Sequence, residues 1–168
     1  MHMKSLSLRV LVCVSTLANA AGITAATPAS DGVAVVASLY REFAWEVLAN
    51  EPLGGEPGFI DQPRSVLERY LEPSLATLIL EDRACTSRTG EICRLDFMPL
   101  WNSQDPAPSD LRVGAGATTS EVLVQLRPSP VDEEVSFRFE MVRTPEGLRV
   151  HDIVYADDWS LRKALASD

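Results

Sequence analysis

The chain predicts an α+β domain, with two N-terminal helices packed on an antiparallel sheet of about four strands and a short C-terminal helix closing it. Two observations predict this class. Apolar residues recur at helical spacing in the first half, and with a period of two after residue 120. Their order matters as well. Helices come first and a meander follows, unlike the strand–helix alternation that builds a parallel sheet.

The first helix is read from "VAVVASLYREFAWEVLAN" (33–50), where Val33, Val36, Tyr40, Phe43, Val47 and Leu48 fall on one face and Asp31 precedes as the cap. The second opens near Pro63, which suits a first-turn position, and runs through "SVLERYLEPSLATLILEDRA". Leu67, Tyr70, Leu71, Leu75, Leu78 and Ile79 make its buried stripe, and Pro73 must kink or divide it. These stripes read as core. Two turn-rich stretches, "NEPLGGEPGFIDQPR" (50–64) and "SQDPAPSD" (103–110), interrupt the pattern as loops within one domain.

"VGAGA" is a weak, Gly-interrupted strand. "EVLVQLR" follows with Val122, Val124 and Leu126 on one face, and "EEVSFRFEMVR" alternates Val135, Phe137, Phe139 and Met141 with polar residues. "TPEG" (144–147) is a turn with Pro second and Gly fourth, and it leads into a last strand, "LRVHDIVYAD". "DDWSLRKALA" ends the chain as a short helix with Asp157 or Asp158 as its cap.

The N-terminus has a different character. Lys4 and Arg9 with no acid, then the apolar or small run "VLVCVSTLANAAGITAA" with Ala18-x-Ala20, predict a secretory signal peptide over 1–20. Cleavage falls after Ala20 or as late as Ala26, leaving a single domain over 27–168. The run is shorter than the ~20 strongly apolar residues of a membrane span. Cys13 sits too early, with Val12 before it, for lipid modification. Export to the periplasm or medium of a Gram-negative bacterium is expected, with no stable membrane insertion after cleavage.

Charge narrows the partners. The chain has 15 basic and 24 acidic residues, a net charge of −9. Loss of Lys4 and Arg9 leaves 13 − 24 = −11. Such a balance disfavours nucleic acid and anionic lipid, which need Lys and Arg to neutralise phosphates. It suits solubility, or a basic partner. After export only Cys85 and Cys93 remain of three cysteines, and they are predicted to form a disulfide closing "CTSRTGEIC". Zinc needs four N or S ligands, and the exported chain would offer these two and His151, so no metal is expected.

The densest polar cluster is "LDFMPLWNSQD" (95–105). Alternation would place Leu95, Phe97 and Pro99 on one side and Asp96 and Met98 on the other. Asp96, Trp101, Asn102, Gln104 and Asp105 combine an apolar plate with donors and acceptors, and they are the candidate binding residues. The same side chains could instead satisfy the backbone of a loop crossing the mouth of the sheet. Asp152 is the sixth candidate. It could meet Asp96 or Asp105 as an acid/base pair, or accept hydrogen bonds from a helix end or a loop. His151 and Asp152 are strand neighbours and point to opposite faces, so they form no local dyad. No nucleophile elbow, phosphate loop or cofactor fingerprint is present, so no catalytic residue and no cofactor is assigned.

The segments "YREFAW" (40–45), "LDF-x-PLWNSQD" (95–105), "LRVHDIVY" (148–155) and "SLR" (160–162) occur in an order that resembles the exported bacterial domain-of-unknown-function family numbered 3828. The resemblance spans the whole exported chain. It implies a cone of the nuclear transport factor 2-like kind, with helices on a curved antiparallel sheet, and implies no activity. Where that family usually has a second acid, Leu-Asp-Phe-Asp-Pro, this chain has Met98, which lowers the expectation of paired-acid chemistry. The residues support two functions. One is a non-enzymatic binding protein that engages another periplasmic protein, for example by neutralising or scaffolding it. The other is a small-molecule carrier or enzyme using acids in the cone's interior.

Overall fold

The computed structural model describes residues 28–47, 57–128 and 132–166. The expected leader, Leu48 and the "NEPLGGE" part of the first loop lie outside the described residues. Eight main elements follow in order: α1 (Pro28–Phe43), α2 (Arg64–Tyr70), α3 (Pro73–Thr89), β1 (Asp110–Ala115), β2 (Glu121–Arg127), β3 (Val135–Thr144), β4 (Gly147–Val154) and α4 (Leu161–Ala166). The strands form one curved antiparallel sheet in the order β1-β2-β3-β4. The expected α+β class is the observed one.

The period-two reading holds along the sheet. Val122, Val124, Leu126, Phe137, Phe139, Met141, Val150 and Ile153 are buried. α1 crosses β1, β2 and β4, α2 packs on β4, and α3 lies against α2 and α4. Val36, Tyr40 and Phe43 of α1 and Leu67, Tyr70, Leu71, Leu75 and Ile79 of the second helical segment join the same core. Burying each large apolar side chain contributes about 1.5–3 kcal/mol.

Helix boundaries differ from expectation for identifiable reasons. α1 begins at Pro28, whose fixed φ suits the first turn, and Asp31 lies inside that turn, where the helix dipole favours an acid. It stops being α-helical at Phe43 and tightens into a 3₁₀ turn over Ala44–Val47. Pro73 divides the second helix, as its missing N–H requires. Leu71 and Glu72 are left extended, and they pair with the edge of β4 through Glu72 N–H to Val150 O at 2.9 Å. The loop before α2 holds a core residue: Phe59 is 1% exposed and packs edge-on against Phe43 at 5.2 Å.

β3 and β4 join through the expected tight turn, Thr144 opposite Gly147, with Gly147 at a positive φ of 121°. The β3–β4 register slips once. Glu140 faces Asp152 and Met141 faces Val150, so His151 is an extra residue on β4. β4 ends at Val154, short of the predicted strand end. Asp157 and Asp158 do not cap α4. Both adopt left-handed backbone (φ 56°) in a 3₁₀ turn, and Ser160 stands before the helix with its Oγ accepting from Lys163 N–H at 3.3 Å.

Candidate functional site

The cysteine loop enters the polar cluster as an anchored chain. Cys85, in the last turns of α3, is bonded to Cys93, with Cα atoms 6.2 Å apart. Gly90 ends the helix in the left-handed conformation that lacks a Cβ penalty. Next to this bridge, Asp82 is 4% exposed and accepts Arg94 N–H at 2.8 Å and Leu95 N–H at 3.4 Å. Disulfide and buried carboxylate together fix where the Leu-Asp-Phe run begins.

The run itself is a tight turn and not a strand. Met98 N–H donates to Ser103 O at 2.8 Å, Trp101 N–H donates to Met98 O at 3.0 Å, and Asn102 supplies the positive φ (48°). Asn tolerates that conformation better than most residues. Three side chains from elsewhere hold the turn. Tyr40 Oη donates to Leu100 O at 2.6 Å and Tyr155 Oη to Pro99 O at 2.9 Å. Trp101 Nε1 donates to Glu46 Oε2 at 3.2 Å, and the other oxygen of Glu46 accepts from Phe59 N–H. Burial pushes the Glu46 carboxyl above the usual range, partly opposed by these two hydrogen bonds, and Asp61 adds to the rise. Burial likewise raises both tyrosines. Met98 packs against the core, which gives its apolar side chain a local use.

Beyond this turn lies a cleft of about 290 Å³ at the mouth of the sheet. Trp101, Leu126, Val135 and Phe137 supply its apolar floor, and Asn102, Ser103, Asp105 and Asp132 its polar lining. The cluster's Trp, Asn and first Asp after it therefore meet in one place. Asp96 and Gln104 are exposed and hydrogen-bond each other at 3.3 Å, outside that lining.

Asp152 is not at the mouth. It is buried, and its Oδ1 accepts Ile153 N–H at 2.8 Å and Arg162 N–H at 3.0 Å, capping α4. Of the two roles open to Asp152, the structure shows the helix-end one and not a pairing with Asp96 or Asp105, because the connection before α4 folds back over β4. His151 instead meets Glu72, Nδ1 to Oε2 at 2.6 Å. Arg162 Nη2 reaches the same oxygen at 2.6 Å and Ser74 Oγ at 2.8 Å.

Partial burial of Glu72 works against its ionised form. The His151 hydrogen bond, the Arg162 charge and the Ser74 hydroxyl outweigh it and hold the carboxyl below its ordinary 4.5. A depressed acid stabilises the fold above its unfolded value, and that contribution is lost as pH falls through the folded one. As pH drops below the ordinary 4.5 of a glutamate, thermal midpoints of the wild-type protein are expected to fall more steeply than those of Glu72→Gln. Equal slopes would remove Glu72 from the acid limb.

Sequence reading missed Glu46, Tyr40 and Tyr155 as supports of the turn, and Asp132, Leu126, Val135 and Phe137 as cleft walls. All of them meet the cluster from distant positions. Their available signal was polarity or exposure within an apolar pattern, as with Glu46 between Trp45 and Val47. Among the described residues, no group of three His, Cys, Asp or Glu is placed to hold a metal, and no helix is long and apolar enough to cross a membrane. Comparisons of the chain with family models, with curated proteins and with solved structures return no match.

Proposed function

We propose that this is an exported, non-enzymatic binding protein that engages a protein partner through the cleft at the mouth of a nuclear transport factor 2-like cone. The observation that carries this reading is the cleft: an apolar floor beside an amide, a hydroxyl and two carboxylates, on a turn pinned by Tyr40, Tyr155 and Glu46. Pre-positioned polar groups around an apolar floor are what a recognition site needs. Groups suited to moving protons are used elsewhere, Asp152 in capping α4 and His151 in bonding Glu72. The leader-like N-terminus and the disulfide support export to an oxidising compartment. The resemblance to the 3828 family supports the cone and is silent on activity.

The test uses Ala107, a small exposed residue in the cleft wall. Ala107→Trp should obstruct the cleft while leaving the core intact. A ligand present at 100 times its dissociation constant stabilises the wild-type protein by about 2.7 kcal/mol. That stabilisation should vanish in the variant. A ligand that stabilises both proteins equally binds elsewhere, and the reading is then wrong.

A further inference from the structure

Resting on the mouth cleft as the binding site, we propose that its occupant is a basic side chain, lysine or arginine, presented by another protein. The alkyl stem would lie on the floor made by Trp101, Leu126, Val135 and Phe137, with the cation held between Asp105 and Asp132. Three observations carry this. Asp105 comes from the loop after Trp101 and Asp132 from the approach to β3, so two chain segments bring one sign of charge to the same cleft. Among the described residues, no Lys, Arg or His lines it, so an acidic occupant is repelled and a neutral one leaves both carboxylates without a counter-charge. The floor opens at Val135, which is 38% exposed, while Trp101, Leu126 and Phe137 beside it are buried.

Size selects within that chemistry. At about 290 Å³ the cleft has room for one long side chain presented by a larger partner. Lysine and arginine are the side chains that combine a buried apolar stem with a hydrated charged tip. Asn102 and Ser103 on the same wall are free to meet the partner's backbone. The chain's net charge of −9 adds steering toward a basic partner.

The probe is an acetylated, amidated decapeptide carrying two lysines around one leucine, titrated into the oxidised protein. Two analogues replace lysine by norleucine, which keeps the stem without the charge, or by glutamate. Amide resonances of Asn102, Ser103 and Phe137 report occupancy. The lysine peptide should shift them and the glutamate peptide should not. Norleucine should weaken binding about tenfold, and Asp105→Asn or Asp132→Asn each about two- to fivefold, with a smaller salt dependence. Equal binding of the norleucine peptide, abolished by Ala107→Trp, would overturn the basic-side-chain inference and leave the cleft as the site. If no peptide shifts those resonances, the inference fails. If in addition no stabilising ligand is sensitive to Ala107→Trp, the reading of the cleft fails with it.

Discussion

Trp101→Ala is expected to cost about 3–5 kcal/mol of folding stability, the usual range for emptying a buried aromatic site. Trp101 is 3% exposed, stands edge-on to Tyr40 at 5.2 Å and donates to Glu46. Against a typical net stability of ~5–15 kcal/mol, the variant should be marginal. Trp101→Phe separates the two contributions. It keeps a ring against Tyr40 and removes only the Nε1–H, so Glu46 Oε2 loses its donor at a cost of about 1–3 kcal/mol. In a Glu46→Gln background the loss from Trp101→Phe should shrink, since the two side chains share one interaction. Urea unfolding of the wild type, the three single variants and the double variant checks this. Equal losses for the Ala and Phe variants would mean that the hydrogen bond, and not packing, holds the turn.

The second large effect concerns the clamp. Cys85→Ser with Cys93→Ser is expected to lower stability by about 2.5 kcal/mol, the chain-entropy value for so short a loop. Asp82 would still hold Arg94 and Leu95 N–H, so the double variant should remain folded and lose stability without losing the turn. Thiol titration of the unfolded, unreduced protein should find Cys85 and Cys93 both blocked. An unchanged unfolding midpoint in the double variant would show that Asp82 alone anchors this segment.

These two experiments probe the supports of one surface. Trp101 is both a core residue and part of the cleft floor, so packing that stabilises the core also positions the cleft. Preorganisation of this kind lowers the ordering cost of binding. In the proposed function, the polar residues above it carry the recognition. Asp105 and Asp132 are exposed, so they can be changed with little effect on the fold and a direct effect on binding.

The cluster at 95–105 was legible as a cluster and only half legible as a site. Trp101, Asn102 and Asp105 do line the cleft, whereas Asp96 and Gln104 bond each other beside it. A turn separates them, and turn geometry at Asn102 decides which side chains face inward. Asp152 shows the limit from the other direction. Its residue type was compatible with both an acid/base pair and a helix cap, and the return of the chain at Ser160 realised the cap.

Local sequence was enough for the presence and order of the helices and strands, for a kink or division at Pro73 and for the pairing of Cys85 with Cys93. Each depends on spacing or backbone chemistry within a few residues, and such local signals are written in order along the chain. Tertiary structure alone decided that Trp101 meets Glu46 across 55 positions, that Tyr40 holds Leu100 across 60, and that Arg162 reaches Glu72 across 90. It also decided the one-residue slip that leaves His151 as an extra residue on β4. Periodicity says which face a residue takes within its own element. Which distant residue stands opposite is set by how the elements pack.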